Sequence, residues 1–322
     1  MSTSAASPII RHEITFASSN GAAQIRACLW EPENSTKPVK GIIQIVHGMA
    51  EHIERYDHFT RFLALNGYIV VAEDHIGHGK SAATPEELGV MDPNSKEVLI
   101  ADVHALRQLA TKRYPQAQTY TIFGHSMGSF ITRAYLARHG EGLDGAIICG
   151  TGNQPHILSK AGNLLARFLS AVRGKAYKST FIDSLGAGSF AKGIENARTP
   201  VDWISVDPAV VDAYLADELS GQMFSVGAYA TLTDLTAEVV TKQSVNKIPK
   251  TLPVLFIAGA QDPVGECGKA VLAAAQLFEN CGITNTEVII YEGMRHEILN
   301  EPDAQKVYDD VLNWLTTHEC HP

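Results

Sequence analysis

The chain has 322 residues, a formal net charge of −9 and a hydrophobic fraction of 45%. This length suits one large domain with an insertion or two modest domains, and such a chain buries about three quarters of its unfolded surface. The acidic balance argues against a nucleic-acid partner, because phosphate binding needs clustered Lys and Arg.

Residues 1–8 are small and polar. They lack a basic stretch followed by an apolar run, which is the pattern of a secretory signal peptide. No apolar run in the sequence reaches the ~18–20 residues that a membrane-spanning helix needs. The sequence therefore predicts a cytoplasmic protein.

The sequence has five cysteines, and none stands in a CxxC or mixed Cys/His spacing typical of metal sites. Two of them lie within apolar, strand-like runs, at Cys28 and Cys149. The prediction is buried, reduced thiols throughout the set, which comprises Cys28, Cys149, Cys267, Cys281 and Cys320.

Eight short apolar runs predict β-strands. The first two alternate apolar and polar residues, which predicts an antiparallel pair. The other six are nearly continuous in Ile, Val, Leu and Phe, as is typical of strands buried on both faces of a parallel sheet. The predicted strands cover residues 14–17, 24–30, 41–46, 68–72, 119–123, 145–149, 253–258 and 287–291.

Helical stretches alternate with these strands, which predicts an α/β fold with a mostly parallel eight-stranded sheet flanked by helices. They cover residues 58–66, 96–114, 127–139, 267–280 and 302–317. The alternation stops between residues 151 and 250, where no buried strand is predicted. We therefore predict one α/β domain from residues 1–150 and 251–322, and a helical insertion, or cap, from residues 151–250.

The motif Gly124-His125-Ser126-Met127-Gly128 follows one predicted strand and opens a predicted helix. A tight strand-to-helix turn forces the serine into a strained backbone, and small residues are needed beside it. The hydroxyl then projects above the sheet, and the helix N-terminus directs amides toward developing negative charge. This context predicts that Ser126 is a nucleophile and not a serine in an ordinary glycine-rich turn.

A serine hydroxyl needs a base to remove its proton. Of the 13 histidines, His296 directly follows the last predicted strand, where the base is expected. Asp262 follows strand 253–258, so we predict that it orients the imidazole, although Asp before Pro also forms ordinary turns. Three other carboxylates fit the acid position less well: Glu292, Glu297 and Asp234.

An oxyanion hole needs two backbone amides, one after the nucleophile and one from the loop after the third strand. The first is that of Met127. The loop reads HGMAEH at residues 47–52, where Gly48 permits a sharp turn and makes the Met49 amide the natural second donor.

His75 and His78 are three residues apart and could form a metal pair. Their segment is punctuated by glycines, however, and no third ligand stands at a metal-site spacing. We predict a structural turn beneath the active site, with no metal, and the same structural role for His47.

An apolar stripe at helical spacing runs along residues 157–172 of the predicted cap. We expect this stripe to pack against the α/β domain. In a cap, however, it could also line an acyl-chain tunnel or touch a lipid surface. The candidate substrate-binding residues are Ile157, Leu164, Leu165 and Phe168.

Together these motifs resemble the monoacylglycerol lipase and lysophospholipase group of the α/β-hydrolase superfamily. The resemblance implies an α/β-hydrolase fold and hydrolysis of a monoacyl lipid ester through an acyl-enzyme, without a cofactor. It extends over about residues 40–315, with the cap where the family carries its own. The similar segments are residues 47–52 with Arg55-Tyr56, 74–81 (DHIGHGKS), 124–128, 261–264 and 295–297.

The motifs specify the fold and the triad more closely than the substrate. A broad short-chain carboxylesterase would carry the same set, and so would a serine peptidase. Dehalogenases and epoxide hydrolases of this fold carry Asp at the elbow, which Ser126 argues against. A non-catalytic binding protein usually lacks a triad member, whereas all three positions are filled here.

Overall fold

The computed structural model describes residues 9–33 and 39–318. The signal-peptide prediction for residues 1–8 and the buried-thiol prediction for Cys320 lie outside these described residues. Within them, no helix is both long enough and apolar enough to cross a lipid bilayer.

Eight strands form one sheet in the order β1-β2-β4-β3-β5-β6-β7-β8. The pairs β1–β2 and β2–β4 are antiparallel and the other neighbours are parallel, which confirms the predicted mostly parallel sheet. The first strand begins at Ile9, earlier than predicted. The strands are β1 (Ile9–Ala17), β2 (Gln24–Pro32), β3 (Gly41–Val46), β4 (Ile69–Glu73), β5 (Thr119–His125), β6 (Gly145–Cys149), β7 (Val254–Gly259) and β8 (Thr286–Tyr291).

Ten α-helices lie within the described residues, with short 3-10 turns between some of them. They are α1 (Asp57–Leu65), α2 (Lys96–Arg113), α3 (Met127–His139), α4 (His156–Arg173), α5 (Thr180–Leu185), α6 (Pro208–Ala216), α7 (Val226–Val239), α8 (Lys242–Val245), α9 (Lys269–Asn280) and α10 (Ala304–His318). Apolar residues of α1 and α10 cover one face of the sheet, and those of α2, α3 and α9 cover the other. The central strands are therefore buried on both sides.

Helices α4 to α8 all lie between β6 and β7, where the insertion is predicted. The boundaries of the two predicted domains stay a prediction. Helix α4 packs on α7 through small and polar side chains. The Asn163 side-chain amide donates to the Ala230 carbonyl (2.6 Å), and Thr236 donates to the Ser159 hydroxyl (3.1 Å).

The prediction that the apolar stripe of α4 packs against the α/β domain is wrong for most of the stripe. Leu165 is half-buried, but Ile157, Leu164 and Phe168 are 82%, 73% and 61% exposed. The buried residues of α4 are Ser159, Asn163 and Ala166, so its contact with α7 is made largely by small and polar side chains and not by the apolar stripe. Helical periodicity identifies an apolar face without identifying what covers it.

Arg133 of α3 hydrogen-bonds two distant parts of the insertion, its start and the end of α7. Its buried guanidinium donates to the Thr151 hydroxyl (3.2 Å) and the Gly152 carbonyl (2.9 Å), which follow β6. It also donates to the carbonyl of Val239, at the end of α7 (3.0 Å). Burial lowers the pKa of Arg133 to about 9. The buried guanidinium is thus held by uncharged oxygen acceptors of the insertion.

Cys28 and Cys149 are buried in β2 and β6, which confirms the prediction for these two thiols. The prediction is wrong for Cys267, which is exposed, and for Cys281, which is half-buried. Both lie just outside the ends of α9, where the chain leaves the core.

Candidate active site

Ser126 occupies a strained turn between β5 and α3, with φ of 54° and ψ of −120°. Close packing around the turn requires glycine on both sides. A Cβ at Gly124 would lie 2.3 Å from the Thr132 hydroxyl oxygen, and one at Gly128 would lie 2.0 Å from the Val46 carbonyl oxygen. Such strain persists only where the surrounding structure enforces it, which marks Ser126 as a functional candidate.

Asp262 and His296 come together at the carboxyl ends of β7 and β8. The His296 Nδ1–H donates to Asp262 Oδ2 (2.9 Å), and both side chains are buried. A second oxygen, Asp262 Oδ1, accepts from the Val264 amide (2.9 Å). With the proton on Nδ1, the other ring nitrogen, Nε2, has no partner among the described residues and keeps its lone pair.

The rival carboxylates are engaged elsewhere or exposed. Glu297 pairs with Arg55, and Asp234 accepts from the Lys96 ammonium (2.9 Å). Glu292 is exposed. Among the described residues, Asp262 is therefore the carboxylate that the structure places on the imidazole of His296.

The loop after β3 lies directly against Ser126. A Cβ at Gly48 would be 2.9 Å from the Ser126 Cβ. Met49 follows Gly48, and Met127 is the first residue of α3, where the leading N–H groups have no acceptor within the helix. This placement fits both predicted oxyanion donors, and their role stays a prediction.

A buried pair that the sequence reasoning missed, Glu51 and His125, joins the oxyanion loop to the elbow. One oxygen, Glu51 Oε1, accepts from His125 Nδ1 (3.1 Å), from the Tyr56 hydroxyl (2.8 Å) and from the Gly48 amide. The other ring nitrogen, His125 Nε2, donates to the His296 carbonyl (3.3 Å). Both residues lie in motifs of the sequence, but no spacing rule pairs them.

Both ring nitrogens of His125 face oxygen acceptors, which favours the doubly protonated imidazolium. Burial would lower the pKa of His125, but the hydrogen bond and the charge of Glu51 outweigh burial and raise it. Burial would raise the pKa of Glu51, but His125 and the charge of Arg55 bring it to about 2. A buried ion pair thus lies beside Ser126.

His47, His75 and His78 form a buried aromatic cluster below the oxyanion loop. The Nδ1–H of His47 donates to the Gly48 carbonyl (2.8 Å), and its Nε2 accepts from the His75 amide (3.0 Å). Burial lowers the pKa of His75 and of His78 to about 4. Within the described residues, no group of three or more His, Cys, Asp or Glu side chains is arranged to hold a metal ion.

The part of the cap that reaches the site is one that the sequence reasoning missed. The Trp203 ring lies 5.0 Å from the His296 ring, centroid to centroid. A tryptophan, one of three in the chain, is the signal that could have identified this part of the insertion. The predicted substrate-binding residues lie on α4, where Ile157, Leu164 and Phe168 face outward and Leu165 is half-buried. Their role in binding substrate stays a prediction.

The sheet order and the Asp262–His296 pair beside a strained elbow define the α/β-hydrolase class. The model of the family described as "Serine aminopeptidase, S33" matches residues 37–303. The chain belongs to this family, and it is an ester-cleaving hydrolase of the monoacylglycerol lipase-like group.

Three relatives illustrate this placement. The chain is 28% identical over 311 residues to the monoacylglycerol lipase of Mycolicibacterium smegmatis, covering 96% of this chain and 98% of the relative. It is 31% identical to a thermostable carboxyl esterase from Bacillus coagulans solved with glycerol, with a TM-score of 0.88 and coverages of 96% and 99%. A soluble variant of the Saccharomyces cerevisiae monoglyceride lipase, at 21% identity, has a TM-score of 0.73 over 100% of this chain and 99% of that one, and shows the shared fold.

Proposed function

We propose that this protein hydrolyses monoacylglycerols or related single-chain lipid esters through a serine acyl-enzyme. The observation that carries the proposal is a buried His296 whose Nδ1–H is bonded to Asp262 and whose Nε2 is open. Its ring lies 4.8 Å from that of His125, the residue before the strained Ser126. The naming of several relatives as monoacylglycerol or monoglyceride lipases supports the substrate class.

In this mechanism the Ser126 oxygen attacks the ester carbonyl carbon while His296 Nε2 takes the hydroxyl proton. Asp262 holds the imidazole in the correct tautomer and stabilises the imidazolium. The amides of Met49 and Met127 bind the tetrahedral oxyanion. His296 then protonates the departing alcohol, and a water molecule activated by His296 releases the fatty acid.

The direct test replaces the nucleophile. We expect Ser126→Ala to lose at least about 1,000-fold in ester hydrolysis, because the residual rate comes only from binding and the oxyanion hole. Thermal unfolding should stay cooperative. A fluorophosphonate should label Ser126 of the wild-type protein, as mass spectrometry would show. Near-normal hydrolysis by Ser126→Ala would overturn the mechanism, and failure to label Ser126 would point to a binding protein.

A broad short-chain carboxylesterase is the second candidate, and the similarity to a carboxyl esterase favours it. Both candidates use the same triad, so the acyl chain must separate them. The experiment measures kcat/KM for monoacylglycerols with acyl chains from two to eighteen carbons, and for matched p-nitrophenyl esters. A maximum at long chains supports the lipid substrate, whereas a sharp drop beyond short chains supports the carboxylesterase.

The family description also raises an aminopeptidase. Such an enzyme must bind the charged amino group of its substrate, and a free carboxylate near the nucleophile would do so. Glu51 and Glu297 adjoin the site, but they are paired with His125 and Arg55. These contacts favour a neutral ester, and an inert aminoacyl p-nitroanilide would agree with that preference.

We also propose that the outer cap, defined as residues 156–193, contacts a lipid surface. Seven of the thirteen exposed large hydrophobic residues among the described part of the chain lie there: Ile157, Leu158, Leu164, Phe168, Val172, Phe181 and Leu185. The same segment carries six basic residues and one acidic residue in a chain of net charge −9. An apolar face surrounded by basic side chains suits an anionic lipid surface.

Sedimentation with vesicles tests this contact. We expect binding to vesicles that contain phosphatidylserine and weaker binding to pure phosphatidylcholine vesicles. Phe168→Asp should reduce binding, because it puts a charge into the apolar face. The matched control is Leu272→Asp, at an exposed leucine on α9. No sedimentation of the wild-type protein, or equal losses in both variants, would reject the outer cap as the contact surface.

A further inference from the structure

A short segment of the cap, residues 202–206, is bonded to the loop that carries His296. We call this segment the strap. The His296 amide donates to the Trp203 carbonyl (3.4 Å), and the Glu297 amide donates to the Ile204 carbonyl (2.7 Å). The cap backbone is thus joined directly to the residue proposed as the base and to its neighbour.

Two side chains of the loop reinforce this attachment. The Arg295 guanidinium donates to the carbonyls of Asp202 (2.6 Å) and Ser205 (2.9 Å). The Glu301 carboxylate accepts from the Ser205 hydroxyl (2.7 Å), from the Val206 amide (3.0 Å) and from the Arg295 amide (2.7 Å). Since Glu301 holds strap and loop at once, the two segments form one unit.

The strap also supplies a side chain that contacts the imidazole. The Trp203 ring packs on His296 at an interplanar angle of 49°, and Phe190 contacts Trp203 at 4.9 Å. The His125 ring contacts the same imidazole at 4.8 Å. His296 is therefore held by a carboxylate through Nδ1, by the elbow through His125 and by the cap through Trp203.

We infer that the strap belongs to the machinery that positions the base, with Trp203 as a positioning residue for His296. An imidazole bonded only at Nδ1 can still tilt about that bond, and packing on its ring restricts this tilt. A displacement of about 1 Å at a reacting group can cost about 100-fold in rate. The inference rests on His296 being the base, as proposed above, and is independent of which ester is the substrate.

This role separates the strap from a lid that only recognises the substrate. Loss of lid recognition would raise KM for long substrates and spare the reaction of a small one. Loss of base positioning lowers the reactivity of Ser126 toward every electrophile, including those too small to reach the outer cap.

The experiment measures how fast a small fluorophosphonate forms a P–O bond with Ser126 and releases fluoride. The same variants are assayed with p-nitrophenyl acetate. We expect Trp203→Ala to lower the labelling rate and kcat by about 10- to 100-fold, with KM changed by less than about twofold. Trp203→Phe, which keeps an aromatic ring, should recover most of both rates.

The matched control is Val211→Ala. Val211 belongs to the apolar cluster of Ile204 and Tyr214 against which Trp203 packs, and it is buried on α6. This variant weakens the same part of the cap without removing a ring from the imidazole. We expect its labelling rate to stay near that of the wild-type protein.

Hydrogen exchange provides a second readout that is independent of chemistry. The amides of His296 and Glu297 should exchange faster in Trp203→Ala, because their acceptors are strap carbonyls. A wild-type labelling rate in Trp203→Ala, or the same loss in Val211→Ala, would overturn the inference. A wild-type protein that does not label at all would instead overturn the proposed serine chemistry, so the two failures are distinct.

Discussion

Two parts of the cap, which come from one insertion, differ in what their surfaces contact. The outer cap exposes apolar side chains among basic ones, and α4 contacts α7 through small residues. The inner cap, defined as residues 202–221, is joined to the loop that carries His296 by hydrogen bonds and by Trp203. One insertion therefore provides both a solvent-exposed apolar surface and contacts that hold His296.

The inner cap also reaches the oxyanion loop. The Tyr214 hydroxyl and the Gly221 amide both donate to the Ala50 carbonyl (3.1 Å and 2.9 Å). Ala50 has a positive φ of 54°, which a residue with a Cβ seldom adopts. His52 pairs with Asp217 across the same contact (2.6 Å). The comparison predicts that changes in the strap, which contacts His296, affect stability and rate together. Changes on the exposed face of the outer cap should spare both.

The largest effect on stability and rate is expected when Glu301 is replaced. Glu301→Ala removes the acceptor of three donors from strap and loop, of which the Ser205 contact is buried and the Val206 and Arg295 contacts are partly buried. An orphaned buried donor costs about 1–3 kcal/mol. We expect the free energy of unfolding to fall by about 2 kcal/mol or more, and hydrolysis of p-nitrophenyl acetate to fall with it. Urea unfolding and steady-state kinetics measure both.

Glu301→Gln serves as the control, because its carboxamide oxygen still accepts from the strap. It should be intermediate in both measurements. A Glu301→Ala protein of wild-type activity would show that the strap does not hold the base.

A smaller effect on the free energy of unfolding, one that depends on pH, is expected when Asp217 is replaced. Burial would raise the pKa of Asp217, but hydrogen bonds from Ser220 and His52 lower it below its ordinary value of 3.8. A lowered folded-state pKa gives stability that is present above pH 3.8 and lost as the pH falls through the folded value. We expect Asp217→Asn to cost at most about 1 kcal/mol at pH 7.

That difference between Asp217→Asn and the wild-type protein should shrink in acid as the wild-type carboxylate is protonated. Urea unfolding at pH 7, 5 and 3 measures it. A difference that grows in acid would contradict the assigned sign.

The smallest effect on stability and rate is expected for substitutions on the exposed face of the outer cap. The double variant Ile157→Ser with Leu164→Ser changes two side chains that are largely in solvent. We expect the free energy of unfolding to change by less than about 0.5 kcal/mol per site, because exposed positions without special contacts contribute little. Hydrolysis of p-nitrophenyl acetate should also be unchanged. A cost above about 2 kcal/mol would show that this face packs against protein.

The positions of Ser126, Asp262 and His296 in the fold could be predicted because local physics determines them. The turn at Ser126 needs glycines at fixed offsets, and the helix after it begins at Met127 as predicted. His296 and Asp262 follow buried strands, and parallel strands bring their carboxyl ends to one edge of the sheet. Chain order and strand order were therefore sufficient to place these residues together.

The contacts of the cap could not be predicted from the sequence. The apolar period of α4 indicated a helix, but its buried residues are Ser159, Asn163 and Ala166, and Phe168 faces solvent. The contact of Trp203 with His296 joins residues far apart in the sequence, and no spacing rule reports it. The Glu51–His125 pair is likewise a contact between two loops. Such contacts depend on how elements meet in three dimensions.

The contacts of Arg133 determine where the junctions should be placed if the cap is exchanged with that of another enzyme. Its guanidinium bonds the backbone carbonyls of Gly152, at the start of the insertion, and Val239, at the end of α7. A chimera joined outside these two residues would keep the buried cation and depend on the new cap to place two carbonyls there, and a displaced carbonyl leaves a costly unpaired charge. Junctions placed inside them keep the cation, its acceptors and the recipient β6 and β7 as one module. Specificity can then be altered through the residues between the junctions, provided that a strap equivalent to residues 202–206 is retained.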